Sequence, residues 1–321
     1  MREILSFLLA ASLALATGIN YSYDAAGRLI KVDYGNGSII NYTYDKAGNL
    51  LTRSVQSASS GPLITSVTVA NGGTAIAQNT FIVIKGANLV PANTPSTGVI
   101  WSTAPSFASG QMPTQLSGVS VTVDNKSAFV YFYCSALTDP ACTQDQLNIL
   151  TPLDTATGPV PVVVTNPSAS SPPFTVNLNA IAPAFLLFGA TQYIAATHLN
   201  NTGCAASGLV DCYVGPTSLY PGDSVPAKPG EAIVLYAVGF GLPSTALVNG
   251  SATQSGALPT NPVCQLGGNP TVVSFAGLGS SPGLYQLNIV VPGSAANGDN
   301  LFSCTYGGSS TPVGALITVQ Q

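Results

Sequence analysis

The sequence predicts an all-β protein, in which two tandem immunoglobulin-like β-sandwiches follow a short N-terminal β-hairpin segment. The 321 residues include 33 glycines and 24 prolines but two glutamates, a composition that favours strands and turns over helices. Short stretches of alternating apolar and polar residues, separated by turn signals, are typical of β-sandwiches. The stretch QLNILTP at 146–152 returns as QLNIVVP at 286–292, which indicates a duplicated domain.

Residues 1–16, MREILSFLLAASLALA, have the pattern of a secretory signal peptide. Arg2 is followed by a mostly apolar stretch, and Ala14-Leu15-Ala16 forms a small-x-small cleavage site. The apolar stretch is short for a membrane span. We therefore expect export to an extracellular or cell-surface location, with no stable membrane span after cleavage. The alternative is a buried first strand or helix.

Charged residues make up 6% of the chain, compared with roughly 25% in an ordinary domain. The net charge is −4. Nucleic acid and anionic membranes both require clustered lysine or arginine. The eight basic residues are scattered from Arg2 to Lys228. We therefore expect neither nucleic acid nor an anionic membrane surface as a partner.

The six cysteines of an exported chain predict disulfides. Along the chain they fall as Cys134/Cys142, Cys204/Cys212 and Cys264/Cys304. The short spacing of the first two pairs favours local loop staples, although six cysteines permit 15 connectivities. A zinc site would need closer spacing and nearby histidines, and the chain has one histidine. We expect no metal and no cofactor.

A repeat with an offset of 21 residues occupies the N-terminal segment: NYSYDAAGRLIKV at 20–32 and NYTYDKAGNLLTR at 41–53. Its alternating tyrosines suit a strand with one packed face. Each aspartate is placed to accept backbone N–H groups in an Asx-type turn, and each glycine supplies a positive φ. The turn residues are Tyr23, Asp24, Gly27, Tyr44, Asp45 and Gly48. A further hairpin turn is predicted at GNG, 35–37, and calcium ligation by the two aspartates is the alternative role.

The pattern Y-x-Y-D-x-x-G-[RN]-L resembles the RHS or YD repeat of bacterial wall-associated and toxin-shell proteins. The resemblance covers the segment 17–55. It implies a role in a large β-shell only where many copies are present, and this chain has two. Because a repeat that cannot bury its own face generally needs three or more copies, we expect a small hairpin appendage.

A serine-rich linker, 56–61, leads to the first predicted sandwich, 62–179. Its strand candidates begin with PLITSVTV and FIVIKGANL, and a hairpin is predicted around Asp124-Asn125. QLNILTP, GPVPVVVTN and FTVNLN complete the series. The second predicted sandwich, 180–321, repeats this order.

In the second sandwich EAIVLYAVGFG takes the place of FIVIKGANL, and NPTVVSFAGL that of KSAFVYFYCSA. LFSCTYGG and VGALITVQQ match the last two strands of the first. In both QLNI copies the leucine and isoleucine point to one face and the glutamine and asparagine to the other. We expect each half to close its own hydrophobic core.

The motif P-x-I-x-S-V…I-x-G-x-N-L at 62–89 resembles the opening of an IPT/TIG immunoglobulin-like domain. From there to the C-terminus, LSGVSVTVDN, PGEAIVLYAVGFG and PGLYQLNIVVP resemble the C-terminal β-domain of exported acidobacterial proteins of the Solibacter type. The resemblance implies the fold and export. It brings no established activity.

Candidate catalytic groups are few. GSSPG at 279–283 fits G-x-S-x-G around Ser281, but no helix pattern follows it, and a triad would have to use His198. Asp124, Asp139, Asp223 and Asp299 stand at turn positions. Neither a hydrolase triad nor a glycosidase pair is favoured.

The aromatic residues Trp101, Phe129, Tyr131, Phe132 and Tyr133 are compatible with a sugar-stacking platform. Core packing explains the alternation of Phe129, Tyr131 and Tyr133 more simply. The sequence therefore predicts an exported, non-enzymatic structural, adhesion or binding module. Its expected partner is a cell-surface or extracellular protein or glycan, with self-association through edge strands as a further route. The alternatives are a carbohydrate-binding accessory domain and a secreted hydrolase.

Overall fold

The computed structural model describes residues 19–34, 38–56, 61–69, 72–199 and 212–321. In these residues the chain is all-β with sandwich-like sheet packing, which confirms the predicted fold class. The helical segments of this described part include a 3₁₀ turn, Trp101–Thr103, and a single-turn helix α1, Pro105–Ala108. None of its helices is both long and apolar enough to span a bilayer. The expected signal peptide lies outside the described residues.

The N-terminal sheet has four antiparallel strands in chain order. They are β1 (Asn20–Tyr23), β2 (Leu29–Asp33), β3 (Ile39–Tyr44) and β4 (Leu50–Gln56). Each repeat forms one hairpin, and the register shifts immediately before its turn, at Tyr23 and at Tyr44. The predicted GNG turn and residues 57–60 of the expected linker lie outside the described residues.

The first half contains two sheets that pack against each other. Its strands are β5 (Leu63–Val69), β6 (Ala75–Ala77), β7 (Phe81–Ala87), β8 (Val99–Ile100), β9 (Gln115–Leu116), β10 (Val119–Val123), β11 (Lys126–Ser127), β12 (Phe129–Cys134), β13 (Asp145–Leu150), β14 (Gly158–Thr165) and β15 (Phe174–Asn179). One sheet has the order β5-β7-β13-β12-β8, and the other has the order β11-β10-β14-β15-β6 with β9 beside β10. Asp124 and Asn125, with φ of +49° and +59°, form the predicted turn between β10 and β11.

The core of the first half is built from the inward residues of both sheets, such as Ile82 and Ile149 from one and Val121 and Val162 from the other. The candidate sugar platform belongs to this core. Trp101, Phe129, Tyr131 and Tyr133 are buried, and the Trp101 and Tyr131 rings meet edge to face with centroids 4.8 Å apart. These aromatic residues are therefore core residues, and the platform interpretation is wrong.

The second half forms one connected network of twelve strands. They are β16 (Ala184–Phe185), β17 (Ala196–His198), β18 (Tyr213–Val214), β19 (Ser224–Val225), β20 (Ala232–Val238), β21 (Gln254–Ala257), β22 (Val263–Leu266), β23 (Asn269–Ser280), β24 (Tyr285–Val290), β25 (Gly298–Tyr306), β26 (Ser309–Ser310) and β27 (Leu316–Val319). The main order is β19-β18-β17-β20-β24-β23-β22-β25-β26. Its core includes Phe185, Phe240 and Phe302.

The two QLNI strands occupy equivalent places. β13 lies between β7 and β12, and β24 lies between β20 and β23, with antiparallel pairing throughout. The register shifts after Val130 in one half and after Val273 in the other. Likewise, the sheet order β10-β14-β15 in the first half corresponds to the sheet order β22-β25-β27 in the second half. The strand order expected from the duplication is therefore present in both halves.

The first core continues past the expected boundary near residue 179. It takes in side chains of the second half, including Phe188, Val238 and Leu284. Asn79 and Gln254 exchange two buried amide hydrogen bonds of 2.9 and 3.0 Å. The second half has a core of its own, built from second-half residues alone, whereas the first core also draws on side chains of the second half, so the two halves share a buried interface.

Candidate functional site

The first YD turn joins β1 to β2 around the carboxylate of Asp24. Its Oδ1 accepts the backbone N–H groups of Ala26 and Arg28 at 2.9 Å, and its Oδ2 accepts Arg28 Nε at 2.8 Å. Gly27 has φ of +79°, a region that glycine enters at little cost. The backbone N–H of Arg28, together with its guanidinium, stabilises the ionised carboxylate and lowers the pKa of Asp24.

The second YD turn joins β3 to β4 around Asp45. Asn49 donates to it twice at 2.8 Å, from its backbone N–H to Oδ1 and from Nδ2 to Oδ2. Gly48 has φ of +93°. The side-chain amide of Asn49, and then its backbone N–H, lower the pKa of Asp45. Each aspartate is thus held by donors of its own turn.

A side chain that sequence reasoning missed connects the repeats. Arg28 Nη1 lies 3.1 Å from the carbonyl oxygen of Asp45, and its guanidinium carbon lies 4.8 Å from the centroid of the Tyr44 ring. The Tyr44 hydroxyl donates to the carbonyl of Leu29 at 2.9 Å. The available signal was the position after the glycine, which holds arginine in one repeat and asparagine in the other.

The edges of the N-terminal sheet expose apolar side chains. Tyr21, Val32, Ile40 and Val55 form one row across the four strands, because each is the register partner of the next. The inner two are buried, whereas Tyr21 and Val55 at the edges are each 55% exposed. Among the described residues, no side chain of this sheet belongs to either hydrophobic core. The sheet therefore presents two apolar edges.

A second surface, the loop groove, lies at one end of the first half. It has a volume of about 500 Å³ and is lined by the loops after β7, β12 and β14. Asp145 holds two of these loops, accepting the N–H of Leu89 and of Ala136 at 3.0 Å. Asn166 Nδ2 donates to the carbonyl of Asn88 at 2.8 Å. The groove thus has fixed walls that carry amide and hydroxyl groups.

The cysteines form structural links. Cys134 is bonded to Cys142 beside the loop groove, and Cys264 is bonded to Cys304 across the strand pair β22–β25. Cys212 is also disulfide-bonded, and Cys204 lies outside the described residues. In the described part of the chain, the one cluster of metal-type ligands combines Asp139 with Cys134 and Cys142, whose sulfurs are already bonded to each other.

The residues considered for catalysis do not meet. Both ring nitrogens of His198 are engaged, Nδ1 at 2.6 Å from Glu231 Oε1 and Nε2 at 3.1 Å from the Val225 carbonyl. Ser281 follows β23 and is succeeded by strand β24, not by a helix. The G-x-S-x-G stretch is therefore a turn between strands.

The four aspartates predicted at turns are dispersed over both halves. Asp124 lies in the β10–β11 turn, and Asp139 accepts the Ala141 N–H in the disulfide loop. Asp223 precedes β19. The turn predicted for Asp299 is wrong, because Asp299 lies within strand β25, where it accepts the hydroxyls of Tyr193 and Thr318.

An RHS Repeat family model matches residues 23–60, and no curated protein matches the chain. Among solved structures, SGBP-B of the Bacteroides ovatus mixed-linkage glucan utilization locus, in complex with a mixed-linkage heptasaccharide, is similar at 8% identity, over 88% of this chain and 52% of that chain, with a TM-score of 0.33. The surface layer protein SbsC, domains 4–9, has 10% identity over 94% and 44% of the two chains, with a TM-score of 0.23.

The Yersinia pseudotuberculosis adhesin InvE has 11% identity over 79% of this chain and 59% of that chain, with a TM-score of 0.21. This chain thus spans about half the length of the SGBP-B structure that it matches. At these TM-scores the likeness carries no argument about function.

Proposed function

We propose that the chain is an exported, non-enzymatic binding and adhesion module that acts outside the cell or at its surface. The two related halves form the scaffold, and the N-terminal sheet is the surface presented to a partner protein. The exposed apolar edges of this sheet carry the proposal. Among the described residues, seven of the fifteen exposed large hydrophobic side chains lie in residues 19–56, and such patches are typical of interaction sites.

The location outside the cell is supported by independent features. Disulfides persist in oxidising compartments, and the chain contains at least the pairs Cys134–Cys142 and Cys264–Cys304. The signal-peptide pattern of the first 16 residues and the match to the RHS Repeat model are consistent with export.

The test is retention of the labelled full chain on cells of the producing organism. The variant Tyr21→Ser/Val55→Ser removes the exposed ends of the apolar row, and we expect it to lose at least about tenfold in binding, on the scale of buried apolar groups. The matched control is Val263→Ser/Val272→Ser, which changes two valines of 72% and 65% exposure in the second half. Equal retention of both variants and the wild type would contradict the proposal.

Glycan binding in the loop groove is a second candidate function. Its lining includes Asn88, Thr143, Gln144, Asn166 and Ser168, whose groups suit sugar hydroxyls. Affinity electrophoresis in gels that contain soluble polysaccharides tests it. Retarded migration that Thr143→Ala weakens would support glycan binding, and unretarded migration in every polysaccharide would remove it.

A further inference from the structure

The two YD repeats contribute different groups to the contact between them. The first repeat supplies an arginine side, which is the Arg28 guanidinium that reaches the Asp45 carbonyl and the Tyr44 ring. The second repeat supplies a tyrosine side, which is that ring, its hydroxyl and that carbonyl. The first repeat therefore donates the arginine of this contact, and the second repeat supplies the ring and the carbonyl that accept it.

The tyrosine side of the first repeat has the same groups, but within the described part of the chain the Asp24 carbonyl accepts the Gly27 N–H of its own turn at 2.9 Å and no arginine donates to it. Tyr23 and Asp24 are equivalent to Tyr44 and Asp45, 21 positions later. Tyr23 is 59% exposed, and all four residues of β1 are exposed. Among the described strands β1 pairs with β2 alone, whereas its equivalent β3 lies between β2 and β4.

The arginine side of the second repeat is closed. Asn49 stands at the position of Arg28, and its amide donates to Asp45 Oδ2 at 2.8 Å, as Arg28 Nε donates to Asp24 Oδ2. Asparagine is shorter than arginine and carries no charge. The β1 edge of the sheet can therefore accept an arginine from a neighbouring repeat, whereas the β4 edge has no arginine to offer to one.

We propose that the β1 edge docks one further YD-type hairpin, from another polypeptide, that carries arginine directly after its turn glycine. The incoming strand adds to β1 as β2 adds to β3, through main-chain hydrogen bonds. Its guanidinium lies over the Tyr23 ring and donates to the Asp24 carbonyl, while the Tyr23 hydroxyl donates to its backbone. The proposal names the partner of the N-terminal sheet and rests on the proposed binding function.

The groups at the β1 edge favour a hairpin that carries arginine. A planar guanidinium both covers an aromatic ring and donates a directed hydrogen bond, which a lysine ammonium does less well. A second copy of this chain fits less well, because head-to-tail pairing would bring Asn49 to Tyr23. The Arg28 of each copy is engaged within its own sheet.

The test measures binding of a labelled peptide to the full chain by fluorescence anisotropy. The probe is a copy of the first hairpin, NYSYDAAGRLIKVD, residues 20–33, and its matched control carries Arg28→Asn. We expect the control peptide to bind about tenfold more weakly. The chain variant Tyr23→Ala should lose a similar factor, and Leu51→Ala at the opposite edge should bind as the wild type does.

Absence of binding by the arginine peptide, equal binding by both peptides, or full binding by Tyr23→Ala overturns the proposal. Dimerisation of the full chain in sedimentation that Tyr23→Ala abolishes would also overturn it, because a second copy would then occupy the edge.

An isolated hairpin is marginally stable. A second measurement therefore uses a variant in which the added hairpin is part of the same polypeptide. Residues 20–40 are duplicated directly before Asn20, and hydrogen exchange of the β1 backbone N–H groups is followed. We expect slower exchange with arginine in the added copy than with asparagine, and equal exchange overturns the proposal. If these tests fail while Tyr21→Ser/Val55→Ser still loses retention on cells, the sheet binds a different partner and the proposed function stands.

Discussion

Each YD turn depends on an aspartate and a glycine, and the aspartate accepts hydrogen bonds from residues up to four positions later in the chain. Gly27 has φ of +79°, and a Cβ added there would meet no atom within 4 Å. The requirement for glycine is therefore conformational and not steric. The turn aspartate supplies the acceptors, and the donors are the next backbone N–H groups.

We predict that Gly27→Ala destabilises the first hairpin by about 1–2 kcal/mol, because an alanine in the left-handed region is strained. Gly27→Asn should cost less, since asparagine tolerates this region. The opening free energy from hydrogen exchange of the Arg28 backbone N–H measures both. Equal stability of the alanine variant and the wild type would show that the turn does not need a positive φ.

The YD turns should also respond to acid. The folded-state pKa values of Asp24 and Asp45 are lowered, so their ionised forms stabilise the turns above the ordinary value of about 3.9. This contribution is lost as the pH falls below that value and through the folded pKa. In an NMR titration the N–H signals of Ala26 and Arg28 should shift in this range, and they should not shift in Asp24→Asn. A flat wild-type titration would contradict the assignment.

Among single residues, the sequence predicts the contacts made within a turn but not the contacts made between strands. The Asp and Gly roles are local, so pattern reasoning reaches them. The contact of Arg28 with Tyr44 joins residues 16 positions apart, and it depends on the register of β2 against β3. Register of this kind is set by the assembled sheet.

At the scale of elements, the central strands of the two halves were predictable because their apolar residues alternate. Leu147 and Ile149, like Leu287 and Ile289, are buried. The sequence did not predict that the polar residues pair. Gln146 donates to Asn148 at 2.9 Å and Gln286 donates to Asn288 at 2.7 Å, so the duplication extends to side-chain hydrogen bonds.

The two disulfides should differ in their effect on stability. Cys264–Cys304 closes a much longer loop than Cys134–Cys142, with sequence separations of 40 and 8. The chain-entropy relation gives about 4 kcal/mol for the long loop and about 2.6 kcal/mol for the short one. We predict that Cys264→Ala/Cys304→Ala lowers the free energy of unfolding in urea more than Cys134→Ala/Cys142→Ala. The reverse order would contradict this.

At the scale of the whole molecule, the two halves are coupled. The buried amide pair of Asn79 and Gln254 joins residues 175 positions apart, and Gln254 Oε1 also accepts the N–H of Gly283 at 3.0 Å. No local pattern marks either residue, because each becomes buried only when the halves meet. The sequence therefore predicted the duplication and not the interface.

We predict that Gln254→Ala lowers the free energy of unfolding by about 1–3 kcal/mol, because it leaves the buried amide of Asn79 and the Gly283 N–H without their partner. The control is Gln265→Ala, at an exposed strand position, which should change stability by less than about 0.5 kcal/mol. Urea unfolding followed by circular dichroism measures both variants. A neutral Gln254→Ala would show that the interface contributes little.

The central claim is that a duplicated β-scaffold presents its N-terminal sheet for binding. Hydrogen exchange of the full chain, with and without cells of the producing organism, tests it most directly. Protection on binding is predicted in β1, Asn20–Tyr23, with the strands of both halves unchanged. Protection confined to the loop groove, or absent throughout 20–56, would contradict the account.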